Sequence, residues 1–137
     1  MTLSPRTSLG RKPAPRRMLV RNLVTSLLLY EKVRTTHARA KAIQPMIDRL
    51  ITKAKKRPPH IAARFINQIV THRNAAQKVF EVFVDRYKDR PSGFTRMKPL
   101  GLRKGDGAKL VEISLVDSGL EPETPKKKPS KKPSQKS

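Results

Sequence analysis

Apolar residues recur at helical spacing through the first two thirds of the chain. Val20, Leu23, Val24, Leu27 and Tyr30 form one stripe, while Arg17, Arg21, Asn22 and Thr25 fall mostly off it. This predicts an amphipathic helix over residues 16–29, opened by Pro15 in its first turn. Lys32-Val33-Arg34-Thr35-Thr36 then alternates and is rich in β-branched residues, which reads as a short strand. Thr36 stands where it can cap a second helix. Ala40, Ile43, Met46, Ile47, Leu50, Ile51 and Ala54 supply that helix's apolar face. Pro45 sits inside it and removes one backbone bond, so a kink or a late start is expected. Lys53, Lys55, Lys56 and Arg57 close it with the charge that a helix C-terminus favours. Pro58-Pro59 ends this helix and opens a third, with Ile61, Phe65, Ile66, Ile69 and Val70 facing inward. Asn74 reads as the cap of a fourth, whose face is Val79, Phe80, Phe83 and Tyr87.

The pattern then changes. Pro91-Ser92-Gly93 is a turn, Phe94 to Lys98 reads as a strand, and Gly101, Gly105, Asp106 and Gly107 punctuate a loop. Lys109 to Asp117 alternates again, with Val111, Ile113 and Leu115 on one face. Two strands around a loop of about ten residues predict a hairpin with a long basic tip. The order α-β-α-α-α-β-β predicts a two-layer α+β domain over residues 15–118, a small mixed sheet packed on helices.

Charge changes this picture most. The chain of 137 residues carries 32 Lys and Arg against 10 Asp and Glu, a net charge of +22. No acid precedes Glu31. Residues 1–14 are basic, proline-broken and poor in apolar side chains, and read as an extended arm that is unfolded when free. Residues 119–137 end in a Lys/Pro-rich run with nothing to offset chain entropy, and read as a disordered tail. The part between remains basic, so the charge belongs to the fold. With no Cys, thiol chemistry and Cys-based zinc sites are excluded. The longest apolar run, Leu27 to Tyr30, is far too short for a bilayer, and membrane insertion is not expected.

A polycation with a modest core points first to nucleic acid, because phosphate neutralisation dominates such affinity. There is no Trp, and the few aromatic residues mostly fit the core, so a stacking platform for single strands is not expected. Phosphate contact and shape recognition of folded RNA fit better. His37, His60 and His72 match no metal-ligand spacing. Asp85 and Asp89 share a helix face with Arg86, Lys88 and Arg90 around them, which reads as surface ion pairing. Gly105-Asp106-Gly107 lacks the Lys-Ser/Thr ending of a phosphate cradle and reads as a turn.

An ordered set of short segments carries a resemblance. It runs from Arg17 to Leu23 through Ser26-Leu27, Glu31-x-Val33-x-Thr35-Thr36, Arg39-Ala40-Lys41 and Leu50-Ile51-Thr52-x-Ala54-Lys55. It continues through Gly93-Phe94-Thr95-Arg96-Met97, Gly101-x-Arg103-x-Gly105-Asp106-x-Ala108 and Glu112-Ile113-x-Leu115-Val116-Asp117. Together these resemble the bacterial-type large-subunit ribosomal protein L17 family over about residues 9–117. The resemblance implies an α+β domain bound to large-subunit ribosomal RNA, near the exit side of the peptide tunnel. It implies neighbouring large-subunit proteins as partners, no catalysis, no required cofactor and no small-molecule substrate. The implied location is the ribosome of the cytoplasm, with a mitochondrial or plastid ribosome as the alternative.

On this reading the expected RNA contacts fall in three groups. Arg11, Lys12, Arg16, Arg17, Arg21 and Asn22 belong to the arm and first helix. Arg34, Thr35, Thr36, Arg39 and Lys41 cluster where the strand meets the second helix, whose N-terminal amides can meet phosphate. Arg96, Arg103 and Lys104 serve the hairpin. Two rivals follow from the same residues: a chromatin-like DNA-binding protein, and a magnesium-dependent nuclease using Asp85, Asp89 and Asp106.

Overall fold

The structure is a computed structural model that describes residues 8–117. Residues 1–7 of the expected arm, and the whole expected tail, lie outside the described residues.

Helix α1, Pro13–Tyr30, starts earlier than expected and takes both Pro13 and Pro15 into its first turn. The prolines therefore do not keep residues 13 and 14 extended. First-turn amides have no intrahelical partner, so a proline there sacrifices no bond. Val20, Val24, Leu27 and Leu28 are buried, whereas Tyr30, counted in the stripe by spacing, is 70% exposed. The helix ends at Glu31 in the left-handed conformation, φ 61°, with its N–H donating to the Leu27 carbonyl. Strand β1, Lys32–Thr36, follows without a linker.

Helix α2, His37–Lys56, begins directly after Thr36, so Pro45 does not delay it. Lys41, whose carbonyl loses its partner to Pro45, is exposed, and water can take up the acceptor. Thr36 occupies the cap position but makes no side-chain capping bond. Helix α3 spans Pro59–Ile69 and buries Ala62, Ile66 and Ile69, while Ile61 stays at the surface.

The fourth helical segment, here α4, comprises Arg73–Lys78, a π-helical turn Val79–Phe83 and a last α-turn Val84–Arg86. Its cap is His72, not Asn74. The extended His72 lets its Nδ1 accept from the Asn74 N–H at 3.3 Å, and Asn74 itself is already helical. The π-turn widens the spiral so that Val79, Phe83 and Tyr87, four residues apart, all reach the interior with no exposed surface. Tyr87 packs between Phe83 and Phe94, at centroid distances of 6.2 and 5.0 Å, and its hydroxyl donates to the Val116 carbonyl.

Strands β2, Thr95–Leu102, and β3, Lys109–Leu115, form the hairpin. β2 is longer than expected because Leu100 bulges out and Gly101, at φ 117°, carries the strand past it; the turn then shrinks to residues 103–108. The sheet order is β1-β3-β2, antiparallel throughout, where a mixed sheet was expected. The intervening helices return the chain so that β3 runs against β1 as well as β2. One sheet face, with Val111, Ile113 and Leu115, packs on α2; the other is polar. α2 packs against the sheet, α1 and α3, burying Ile43, Ile47, Leu50 and Ile51 completely. The domain is thus two-layer α+β.

Candidate nucleic-acid interface

The organising feature is where the acids are. Helices α1, α2 and α3 hold a single acid, Asp48, and its carboxylate accepts from the Phe94 N–H at 3.2 Å. Among the described residues these three helices make no ion pair. The opposite side is different. Arg34 meets Glu112 across β1 and β3, Arg90 meets Asp117, and Arg103 meets Asp106 in the hairpin turn. Cations on α1, α2 and α3 therefore lack a carboxylate partner among the described residues, while several on the sheet side are engaged.

The expected residues separate along this divide. Arg11 and Lys12 are exposed in the turn that leads into α1, and Arg17 and Asn22 are exposed on α1. Arg16 is half-buried, and its Nε is buried with no acceptor among the described residues. Arg21 has a structural task as well. Its Nε donates to the Ile69 carbonyl at 3.2 Å and ties α1 to the end of α3. At the β1–α2 junction, Arg34 and Lys41 are exposed and Arg39 and Thr36 half-buried. Thr35 faces the core at 7% exposure, so its hydroxyl is not at the surface of this cluster. Strand alternation accounts for this: Arg34 points out, and Thr35 must point in. The N-terminal amides of α2 are left uncapped by Thr36. In the hairpin, Arg96 and Lys104 are exposed, while Arg103 is held by Asp106, whose carboxyl is driven well below the usual range by that guanidinium and by the Ala108 N–H.

Asp85, Asp89 and Asp106 do not assemble a metal site: among the described residues, no group of three or more His or acidic residues converges. Nor does Arg86 pair with its neighbours Asp85 and Asp89, as its spacing suggested. It reaches Glu31, with Nη1 at 2.8 Å from Oε2 and Nη2 at 3.2 Å from Oε1. Lys78 closes the same site, its Nζ 2.8 Å from Glu31 Oε1 and 3.0 Å from the Leu29 carbonyl it donates to. Burial would raise the Glu31 carboxyl, but hydrogen bonds and charge from Arg86 and Lys78 outweigh it and hold it below its ordinary value. Sequence reading missed this latch. Its one signal was that Glu31 is the first acid of the chain.

Sequence reading also treated Lys53 as a helix-end charge and passed over Arg49. Both line a groove between α1, α2 and α3 with Arg17 and Arg21.

Comparison with known proteins agrees with this architecture. A family model described as Ribosomal protein L17 matches residues 19–116. The "Large ribosomal subunit protein bL17" of Syntrophotalea carbinolica is 44% identical over 114 residues, 83% of this chain and 73% of that protein. Its namesake in Thermomicrobium roseum is 42% identical over 107 residues, 78% of this chain and 91% of that protein. The Desulfosudis oleivorans protein of the same name is 41% identical over 123 residues, 90% of this chain but 59% of its own longer sequence. The chain belongs to the ribosomal protein L17 family, a structural and non-enzymatic family of the ribosome.

Proposed function

We propose that the protein is a structural constituent of the large ribosomal subunit that grips folded ribosomal RNA by phosphate neutralisation, near the exit side of the peptide tunnel. Its place is the cytoplasmic ribosome, and neighbouring large-subunit proteins are its other partners. The observation that carries the reading is the segregation of charge: α1, α2 and α3 present cations with one acid among them, and that acid is turned to the Phe94 backbone. Such a face repels itself until a polyanion covers it. Exposed Arg11, Lys12 and Arg17 at the start of α1, and Lys41 near the uncapped N-terminus of α2, extend the same field.

The test compares full-length protein on a folded large-subunit ribosomal RNA transcript and on duplex DNA at matched salt. The expected result is tighter binding to the RNA, with affinity falling steeply as salt rises. Equal affinity for both would favour a chromatin-like protein.

A further inference from the structure

We propose that the groove between α1, α2 and α3 holds one unpaired, unstacked nucleotide of RNA, its base on the apolar lining and its flanking phosphates on the cations. This rests on the RNA-binding reading and specifies it. The groove encloses about 720 Å³, a volume suited to a small organic group. Met18, Met46, Phe65 and Ile69 give it an apolar lining, and Arg17, Arg21, Arg49 and Lys53 a cationic one. A second depression of about 280 Å³ shares Lys53, Phe65 and Gln68 with the first and adds Arg57 and Arg64. Among the described residues no carboxylate lines either one.

Two contacts fix the cations in place. Lys53 Nζ stands 3.6 Å from the centre of the Phe65 ring, a cation–π contact that keeps the ammonium in the groove. Arg21, anchored to Ile69, brings its Nη1 to 3.9 Å from the Met18 sulfur, so the guanidinium lies against the apolar lining.

Charge selects the occupant. Residues 1–7 carry Arg6 and no acid, and residues 118–137 carry six Lys against two Glu, so the chain's own ends are repelled. An apolar protein segment would cover the apolar lining but strip water from unpaired cations, which is costly. A base-paired helix brings phosphates but keeps its bases inside. A single extruded nucleotide satisfies both halves: apolar surface from the methionines, Ile69 and Phe65 for the base, anionic oxygens for the cations, and base edges within the chemistry of the Gln68 amide.

The probes are two RNA hairpins that differ only by a one-nucleotide bulge carrying 2-aminopurine, titrated with full-length protein at matched salt. Binding to the bulged hairpin is expected to be about tenfold tighter, with a change in 2-aminopurine fluorescence. Phe65→Leu keeps apolar volume and removes the ring. It is expected to erase most of that preference, with a smaller loss on the paired hairpin, because Lys53 loses the ring that holds it, and with the chain still folded by circular dichroism. Arg49→Gln and Lys53→Gln are each expected to weaken both RNAs and lower the salt slope by about one. Equal binding of the two hairpins with a normal salt slope would overturn the nucleotide site and spare the RNA-binding reading. Loss of salt-dependent binding to both would overturn that reading and this proposal together. In native large subunits, ultraviolet light is expected to join a nucleotide to the peptide bearing Phe65. A neighbouring protein captured by Lys53 in its place would sink the proposal.

Discussion

The α1–α3 face of this domain and its α4 and sheet elements use the same side chains for opposite ends. On α4, Arg86 and Lys78 close on Glu31, and on the sheet Arg34 closes on Glu112 and Arg103 on Asp106. These cations help hold the fold. On the α1–α3 side, Arg17, Arg49 and Lys53 line a groove with no acid in reach. Apart from the contact of Lys53 with the Phe65 ring, their charge meets no counter-charge in the domain and costs it self-repulsion. An arginine's role here is set by whether a carboxylate shares its neighbourhood, which composition alone does not report.

The largest expected effect tests the helical side. Arg17→Glu with Arg49→Glu is expected to lower affinity for folded ribosomal RNA about a thousandfold at moderate salt, since two attractions become repulsions. Thermal denaturation is expected to show no loss of stability. A drop in melting temperature with RNA binding intact would reverse the comparison.

The next effect belongs to the paired cations of α4. Glu31→Gln leaves Arg86 and Lys78 without a counter-charge and is expected to cost about 2–4 kcal/mol, measured by denaturant unfolding. Affinity for RNA in the folded state is expected to change less than about twofold. Acid sharpens the test. The folded Glu31 carboxyl titrates below its ordinary value of 4.5, so its contribution is complete above that pH and is lost as pH falls through the lower, folded value. The stability gap between wild type and Glu31→Gln is therefore expected to close on acidification below 4.5. A gap independent of pH would show that the carboxylate's charge is not what holds the latch.

The smallest effect lies at the hairpin turn. Asp106→Asn releases Arg103, and RNA binding is expected to strengthen about threefold, near the gain of one partial phosphate contact. The melting temperature is expected to stay put, because both side chains are half-exposed and the pair is local. Weaker RNA binding would mean that Asp106 shapes the turn for contact instead of competing for the arginine.

Much of the fold was legible. β1 was read at its true limits, because β-branched alternation between two helical stripes leaves little choice. Pro58-Pro59 marked the α2–α3 break, since the first ends a helix and the second can open one. The errors share a cause. Pro13 and Pro15 read as breakers until a first turn made them harmless, and Gly101 read as loop until a bulge made it strand. A residue's conformational freedom was visible in each case, but its place within an element was not. The candidate interface was half legible. Arg17 and Arg21 stood out beside an apolar stripe, whereas Arg49 and Lys53 joined them only when α2 and α3 closed the groove. Thr35 was misjudged because a hydroxyl in a polar run looks available until the strand assigns it to the core.

Local chemistry therefore settled which segments become helix or strand, which faces turn inward, and that the chain carries a large excess of positive charge. These depend on spacing, backbone preference and summed charge, all carried by neighbours along the chain. Packing alone decided that β3 lies between β1 and β2, that Glu31 in a left-handed turn meets cations from α4, and that one side of the domain stays without acids. Those outcomes join residues dozens of positions apart, and only chain closure around a shared core brings such groups within reach of one another.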